Sequence, residues 1–126
     1  PSLKHLTSIF PNRLGYYMRG ATQKHWSNLR HAGLSLAGIG FDSSIDLLSS
    51  LKERSTGFVQ GNFHQDFMSL SEIEFQKKLE EWMKPILDLT PIERNGWICG
   101  VGHGLTPQAK EVNVRNFVKT IRGQFQ

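Results

Sequence analysis

Gly57-Phe58-Val59-Gln60-Gly61-Asn62 and, further along, Trp97-Ile98-Cys99-Gly100-Val101-Gly102-His103-Gly104 are short apolar runs brought to a halt by glycine. Two earlier stretches have the same form. Leu14-Gly15-Tyr16-Tyr17-Met18 stops at Arg19-Gly20, and Leu34-Ser35-Leu36-Ala37-Gly38-Ile39 stops at Gly40. Apolar runs of this length, closed by a residue that lets the backbone turn or approach a ligand, predict buried strands.

Each run precedes a segment with helical spacing. Phe75, Leu79, Trp82, Ile86 and Leu89 recur at alternating steps of four and three, which places them on one face of a helix. Ser71 with Glu74 forms a capping box for its start. Val114, Phe117, Val118, Ile121 and Phe125 make a second such face, with Thr106-Pro107 expected as cap and first helical residue. Thr22 to His31 and Ser43 to Glu53 predict two shorter helices, with Trp26, Leu29, Leu47, Leu48 and Leu51 facing inward. The first thirteen residues hold the tail of another helix, broken at Pro11. The fold class is therefore α/β, with four βα units, parallel strands and right-handed crossovers in a single domain over residues 1–126. Ligand chemistry in such sheets gathers at the C-terminal strand ends, here Arg19-Gly20, Gly40-Phe41, Gly61-Asn62 and Gly102-His103-Gly104.

Composition narrows the classes. The 126 residues are 38% hydrophobic and 21% charged, as in an ordinary folded domain. No stretch reaches the roughly 18 apolar residues of a membrane span, and no secretory leader pattern stands at the start, so a membrane partner is not expected. Cys99 is the only cysteine, which excludes an intrachain disulfide and a Cys-rich zinc site and fits a reducing cytoplasm. The net charge of +4 suits an anionic ligand. The basic residues are nevertheless scattered, and the nearest to a stripe, Arg115, Lys119 and Arg122, reads as the solvated face of the last helix. Nucleic acid is accordingly not an expected partner. No GxGxxG opens a helix after a strand, and no GxxxxGK[ST] occurs, which disfavours nucleotide binding.

Gln60-Gly61-Asn62 ending one strand, Gly102-His103-Gly104 ending the next and Pro107 soon after resemble the C-terminal half of uroporphyrinogen decarboxylase. His31-Ala32-Gly33 before a strand and Asn113-Val114-Arg115-Asn116-Phe117-Val118 in the last helix resemble that family in the same order, over residues 14–122. The resemblance implies the C-terminal half of a (β/α)8 TIM barrel, since a whole barrel takes about 250 residues. It implies a cofactor-free carboxy-lyase that removes carboxylates from the four acetate side chains of uroporphyrinogen III, giving coproporphyrinogen III in haem biosynthesis. The family's central aspartate, N-terminal arginines and tyrosine have no matching positions here. No catalytic residue is therefore assigned in this half, and the chain by itself is expected to be inactive. Its expected partners are an anionic tetrapyrrole and either the N-terminal half of a barrel or a second copy in a homo-oligomer such as a dimer. The alternative is a non-catalytic half-barrel that serves binding or assembly.

Two departures from the family pattern touch the pocket rim. Phe63-His64-Gln65 stands where Leu-Asp-Pro is usual, and Gly38-Ile39-Gly40-Phe41 stands where Gly-Leu-Asp-Trp is usual, losing an acid. The resemblance places His103, between Gly102 and Gly104, near substrate carboxylates. Arg19, where the family has lysine, would neutralise an acetate or propionate. Gln60 and Asn62 would shape the pocket floor. His64 and Asp66 are only two nearby metal-ligating types where three are needed, so no metal is expected. Zinc-binding methyltransferases that resemble the same family carry a His-x-Cys pair that Tyr17-Met18-Arg19-Gly20-Ala21 lacks.

Overall fold

The computed structural model describes residues 2–54 and 57–125. Four strands, β1 (Gly15–Tyr17), β2 (Gly38–Gly40), β3 (Phe58–Gln60) and β4 (Trp97–Ile98), form one parallel sheet in the order β1-β2-β3-β4. Helix α1 (Leu3–Ile9) precedes the sheet, and α2 (Gln23–His31), α3 (Leu47–Lys52), α4 (Glu72–Leu87) and α6 (Glu111–Gln124) follow the four strands in turn. This is the expected alternation of strand and helix, an α/β arrangement consistent with half of a (β/α)8 barrel. Two elements were not legible in the sequence: a 3₁₀ turn at Gln65–Ser69 and the four-residue α5 (Pro91–Arg94).

Several predicted boundaries are corrected. The second apolar run was expected from Leu34, but the Leu36 N–H bonds back to the Leu34 carbonyl in a turn. Parallel pairing begins only where the Ala37 N–H reaches the Leu14 carbonyl at 2.9 Å. Helix α3 starts at Leu47 rather than Ser43, because Asp46 accepts hydrogen bonds from the Leu48 and Ser49 N–H groups as its cap. Helix α6 starts at Glu111, not at Thr106-Pro107, and Lys110 caps it without a side-chain bond. Tertiary bonds set that start. The Lys110 N–H donates to the Met68 carbonyl at 2.8 Å, and Asn113 Nδ2 donates to the Met68 and Leu70 carbonyls at 3.0 Å each. Of the face expected for α6, Phe117 is buried and Val114 and Ile121 pack beside it, while Val118 and Phe125 remain exposed. The Ser71–Glu74 capping box of α4 forms as expected.

The strand register separates two faces. Ile39, Val59 and Trp97 are paired neighbours that turn toward the helices and join a core with Trp26, Phe41, Leu47, Leu51 and Ile86. A second core lies under α4 and α6. Phe63 is fully buried there, and its ring meets those of Phe67, Phe75, Trp82 and Phe117 at centroid distances of 5.2 to 6.0 Å. On the other face Tyr17, Gly40, Gln60 and Ile98 form one cross-strand row. Tyr17 is 45% and Ile98 44% exposed, because no helix among the described residues covers this side. A Cβ on Gly38 would come within 2.3 Å of the Phe58 ring, so the missing side chain lets that ring lie flat across β2.

Candidate functional site

The strand ends converge on a cavity of about 310 Å³ whose walls include Tyr17, Gly40, Phe58, Gln60, Gly102, His103 and Gly104. Phe58 closes the floor, and the glycines bring backbone to the surface. The ladder between β3 and the fourth run continues beyond β4. The Phe63 N–H bonds the Gly100 carbonyl, Phe63 pairs with Val101, and the Gly102 N–H bonds the Phe63 carbonyl at 2.7 Å. That pairing carries His103 out to the mouth of the cavity.

Two groups that the sequence reading passed over organise this mouth. The Tyr17 hydroxyl donates to the Gly102 carbonyl at 2.8 Å and lies 3.2 Å from His103 Nδ1, with the two rings within 7° of parallel. Asp42 accepts hydrogen bonds from the Gly20 N–H at 2.5 Å, the Ser44 N–H at 2.9 Å and the Ser44 hydroxyl at 2.5 Å. It therefore ties the end of β1 to the end of β2. Burial pushes the Asp42 carboxyl up, but the bonds from Ser44 and Gly20, with the charge of Arg19, outweigh it and leave the group below its ordinary value. Burial, and after it the Asp42 charge, raises the Tyr17 phenol against the pull of Arg19, so the hydroxyl keeps its proton at neutral pH.

The anticipated site residues divide. His103, Gly102, Gly104 and Gln60 share the cavity. Arg19 is exposed just past β1, and its charge acts on both Asp42 and Tyr17. Asn62 is not in the cavity wall. Its Nδ2 donates to the Asp42 carbonyl at 3.0 Å and the Ile45 carbonyl at 2.7 Å, and Trp82 Nε1 reaches its Oδ1 at 3.5 Å, so the side chain braces the loop after β2. His64 accepts the Asp66 N–H and caps the 3₁₀ turn. Among the described residues no three His, Cys, Asp or Glu side chains converge. Cys99 packs against the second core, and burial pushes its thiol up to about 12. Arg115 is paired with Glu111 at 2.6 Å on the open face of α6. No helix among the described residues is long and apolar enough to cross a membrane.

Strict alternation along a strand could have found Tyr17, since it and Gly15 point to the same face as Gln60. The motif does not mark Asp42, because the pattern it resembles has its acid at position 40 and this chain has one two residues later.

A family model for uroporphyrinogen decarboxylase (URO-D) matches residues 2–124. The chain belongs to the uroporphyrinogen decarboxylase family. None of the curated proteins compared with it matches. Membership extends beyond the motifs to nearly the whole chain, α1 included, and points to a decarboxylase-like function. The cavity stands where parallel α/β sheets bind ligands, at the C-terminal ends of the strands.

Proposed function

We propose that this cavity binds one carboxylated edge of uroporphyrinogen III and forms half of the pocket in which its acetate groups are removed as carbon dioxide. The observation that carries the reading is the meeting of His103, held by Tyr17, with Gln60 and exposed glycine backbone at the strand ends. At about 310 Å³ the space takes part of a macrocycle rather than all of it. His103 and Arg19 act as carboxylate contacts. The pyrrole itself serves as the electron acceptor. Protonation of the ring carbon next to the one that bears the acetate methylene creates a conjugated cation. That cation takes up the electron pair released with carbon dioxide as an exocyclic methylene, and protonation of the methylene with loss of the added ring proton leaves the methyl group. The protein's part is to hold charge in place, an electrostatic task with no covalent intermediate.

The uncovered row of Tyr17 and Ile98, and the two sheet edges at β1 and β4, fit a second half-barrel packed against this one, from another copy or from more of the same polypeptide. The same features favour the assembly-module alternative, in which the inner face binds only protein. Uroporphyrin titration of the chain, followed by porphyrin fluorescence, separates the two. Saturable binding that weakens roughly tenfold in His103→Gln supports the pocket, in line with loss of a charged hydrogen bond. No binding at millimolar porphyrin overturns it in favour of assembly. The chain by itself is expected to form no coproporphyrinogen, and product formation would show that the catalytic acid lies within these residues.

A further inference from the structure

We propose that Tyr17 is a positioning residue that fixes the tautomer of His103, holding the proton of the neutral imidazole on Nδ1 and leaving Nε2 as the nitrogen offered to the ligand. The proposal rests on the reading of His103 as a substrate contact.

The argument follows from counting donors. A phenol has one O–H proton, and at Tyr17 the Gly102 carbonyl takes it at 2.8 Å. A carbonyl cannot donate, so the direction of that bond is fixed. The hydroxyl is then left with lone pairs toward His103 Nδ1, 3.2 Å away. Two acceptors facing each other gain nothing, whereas an Nδ1–H pointing at the phenol oxygen completes the chain His103 Nδ1–H to Tyr17 O–H to the Gly102 carbonyl. Each hydrogen bond polarises the next. The near-parallel rings, with centroids 6.3 Å apart, keep Nδ1 close to the phenol oxygen.

Among the described residues nothing hydrogen-bonds Nε2. In the neutral ring Nε2 is therefore an acceptor. When the ring gains a proton it becomes a second N–H aimed away from Tyr17, able to bond a carboxylate while Nδ1–H stays where it was. Protonation thus changes the ligand-facing nitrogen without turning the ring. The ends of the relay are anchored. The Gly102 N–H is bonded to the Phe63 carbonyl, and a Cβ on Gly102 would lie 2.8 Å from the Ser43 nitrogen, so neither the carbonyl nor the loop beside it is free to swing.

The test is a long-range ¹⁵N–¹H correlation spectrum of the ¹⁵N-labelled chain, recorded where the imidazole is neutral. The expected spectrum has Nδ1 at the protonated, pyrrole-like position and Nε2 at the unprotonated, pyridine-like one. The reverse pattern in the native chain overturns the proposal, and this needs no variant to fold. In Tyr17→Phe the Nδ1–H form is expected to fall to a minority, while an unchanged tautomer in a folded variant also overturns the proposal. A bound carboxylate takes the doubly protonated ring, whose Nδ1–H still needs Tyr17, so uroporphyrin affinity should drop about 2- to 10-fold in Tyr17→Phe, the range for one hydrogen bond. The two readings fail separately. The Nδ1–H form without porphyrin binding removes the pocket and leaves the relay, and porphyrin binding with the proton on Nε2 removes the relay and leaves the pocket.

Discussion

The two faces of one four-stranded sheet could hardly differ more in what covers them. Val59 and its cross-strand neighbours Ile39 and Trp97 lie against helices, while the row one residue further along the strands, Tyr17, Gln60 and Ile98, faces the side that no described helix covers. Alternation along the strand puts stability on one side and ligand chemistry on the other. The helix-facing side is filled by aromatic rings and aliphatic side chains and braced by Asn62 and Asn113. The inner side is held by directional polar bonds, Asp42 to Gly20 and Ser44, and Tyr17 to Gly102 and His103. Substitutions on the two sides should therefore be told apart by what they damage.

The largest effect is expected at Phe63. Its ring is fully buried among four other aromatic rings, and Phe63→Ala should lower unfolding stability by about 3–5 kcal/mol in urea titrations. A loss below about 1 kcal/mol would mean that the second core closes over the gap and that the helix-facing side is not the stable one. Asn113→Ala comes next, at about 1–3 kcal/mol, because it strips the donor from the Met68 carbonyl of the 3₁₀ turn and the Leu70 carbonyl just past its end. It should also shift the start of α6, visible as faster amide exchange at residues 110–114.

These positions also show what could be read without coordinates. Phe75, Leu79 and Ile86 announced α4 through spacing, and glycine-closed runs announced four parallel strands, because both signals are local and repeat. The start of α6 was not local. It is set by Asn113 reaching back to Met68 and Leu70, a tie no periodicity contains, and the Thr106-Pro107 signal lost to it. At the site, His103 and its glycines stood out as a motif. Tyr17 read only as an apolar strand residue, since its partner lies 86 positions away. Asn62 belonged to a motif too, yet its amide braces the loop rather than the cavity.

Asp42→Asn should have a smaller effect, about 1 kcal/mol at neutral pH, because the amide keeps some of the bonds from Ser44 and Gly20. Its pH dependence sharpens the comparison. The folded carboxyl titrates below the ordinary value of 3.8, so its contribution is complete above that value in the native chain. As pH falls through 3.8 the unfolded chain takes up the proton first, and the contribution is lost. The gap between native chain and variant should therefore narrow below pH 4 and be constant above it. Asp46, also lowered, chiefly by its bond from Ser49, titrates in the same window in both proteins and cancels in the difference. A gap that widened in acid would mean that Asp42 is not held as the anion.

The smallest effect on stability, and the sharpest contrast, is expected at Gly104. It and Gly102 flank His103 symmetrically in sequence, and a motif treats them alike. Their surroundings do not. A Cβ on Gly102 would press within 3.0 Å of Asp42 and 2.8 Å of Ser43, whereas one on Gly104 meets nothing within 4 Å. Gly102 is small because the loop after β2 packs against it. Gly104 is open and lines the cavity, so its smallness matters only to whatever enters there. Gly104→Ala should leave stability within about 0.5 kcal/mol of the native chain, as surface changes do. Uroporphyrin binding, measured in the same samples, should still weaken, because the methyl occupies space at the mouth beside His103. Unchanged affinity would place the ligand deeper, against Gln60 and Phe58, and would separate the glycine that shapes the pocket from the one that only permits the turn.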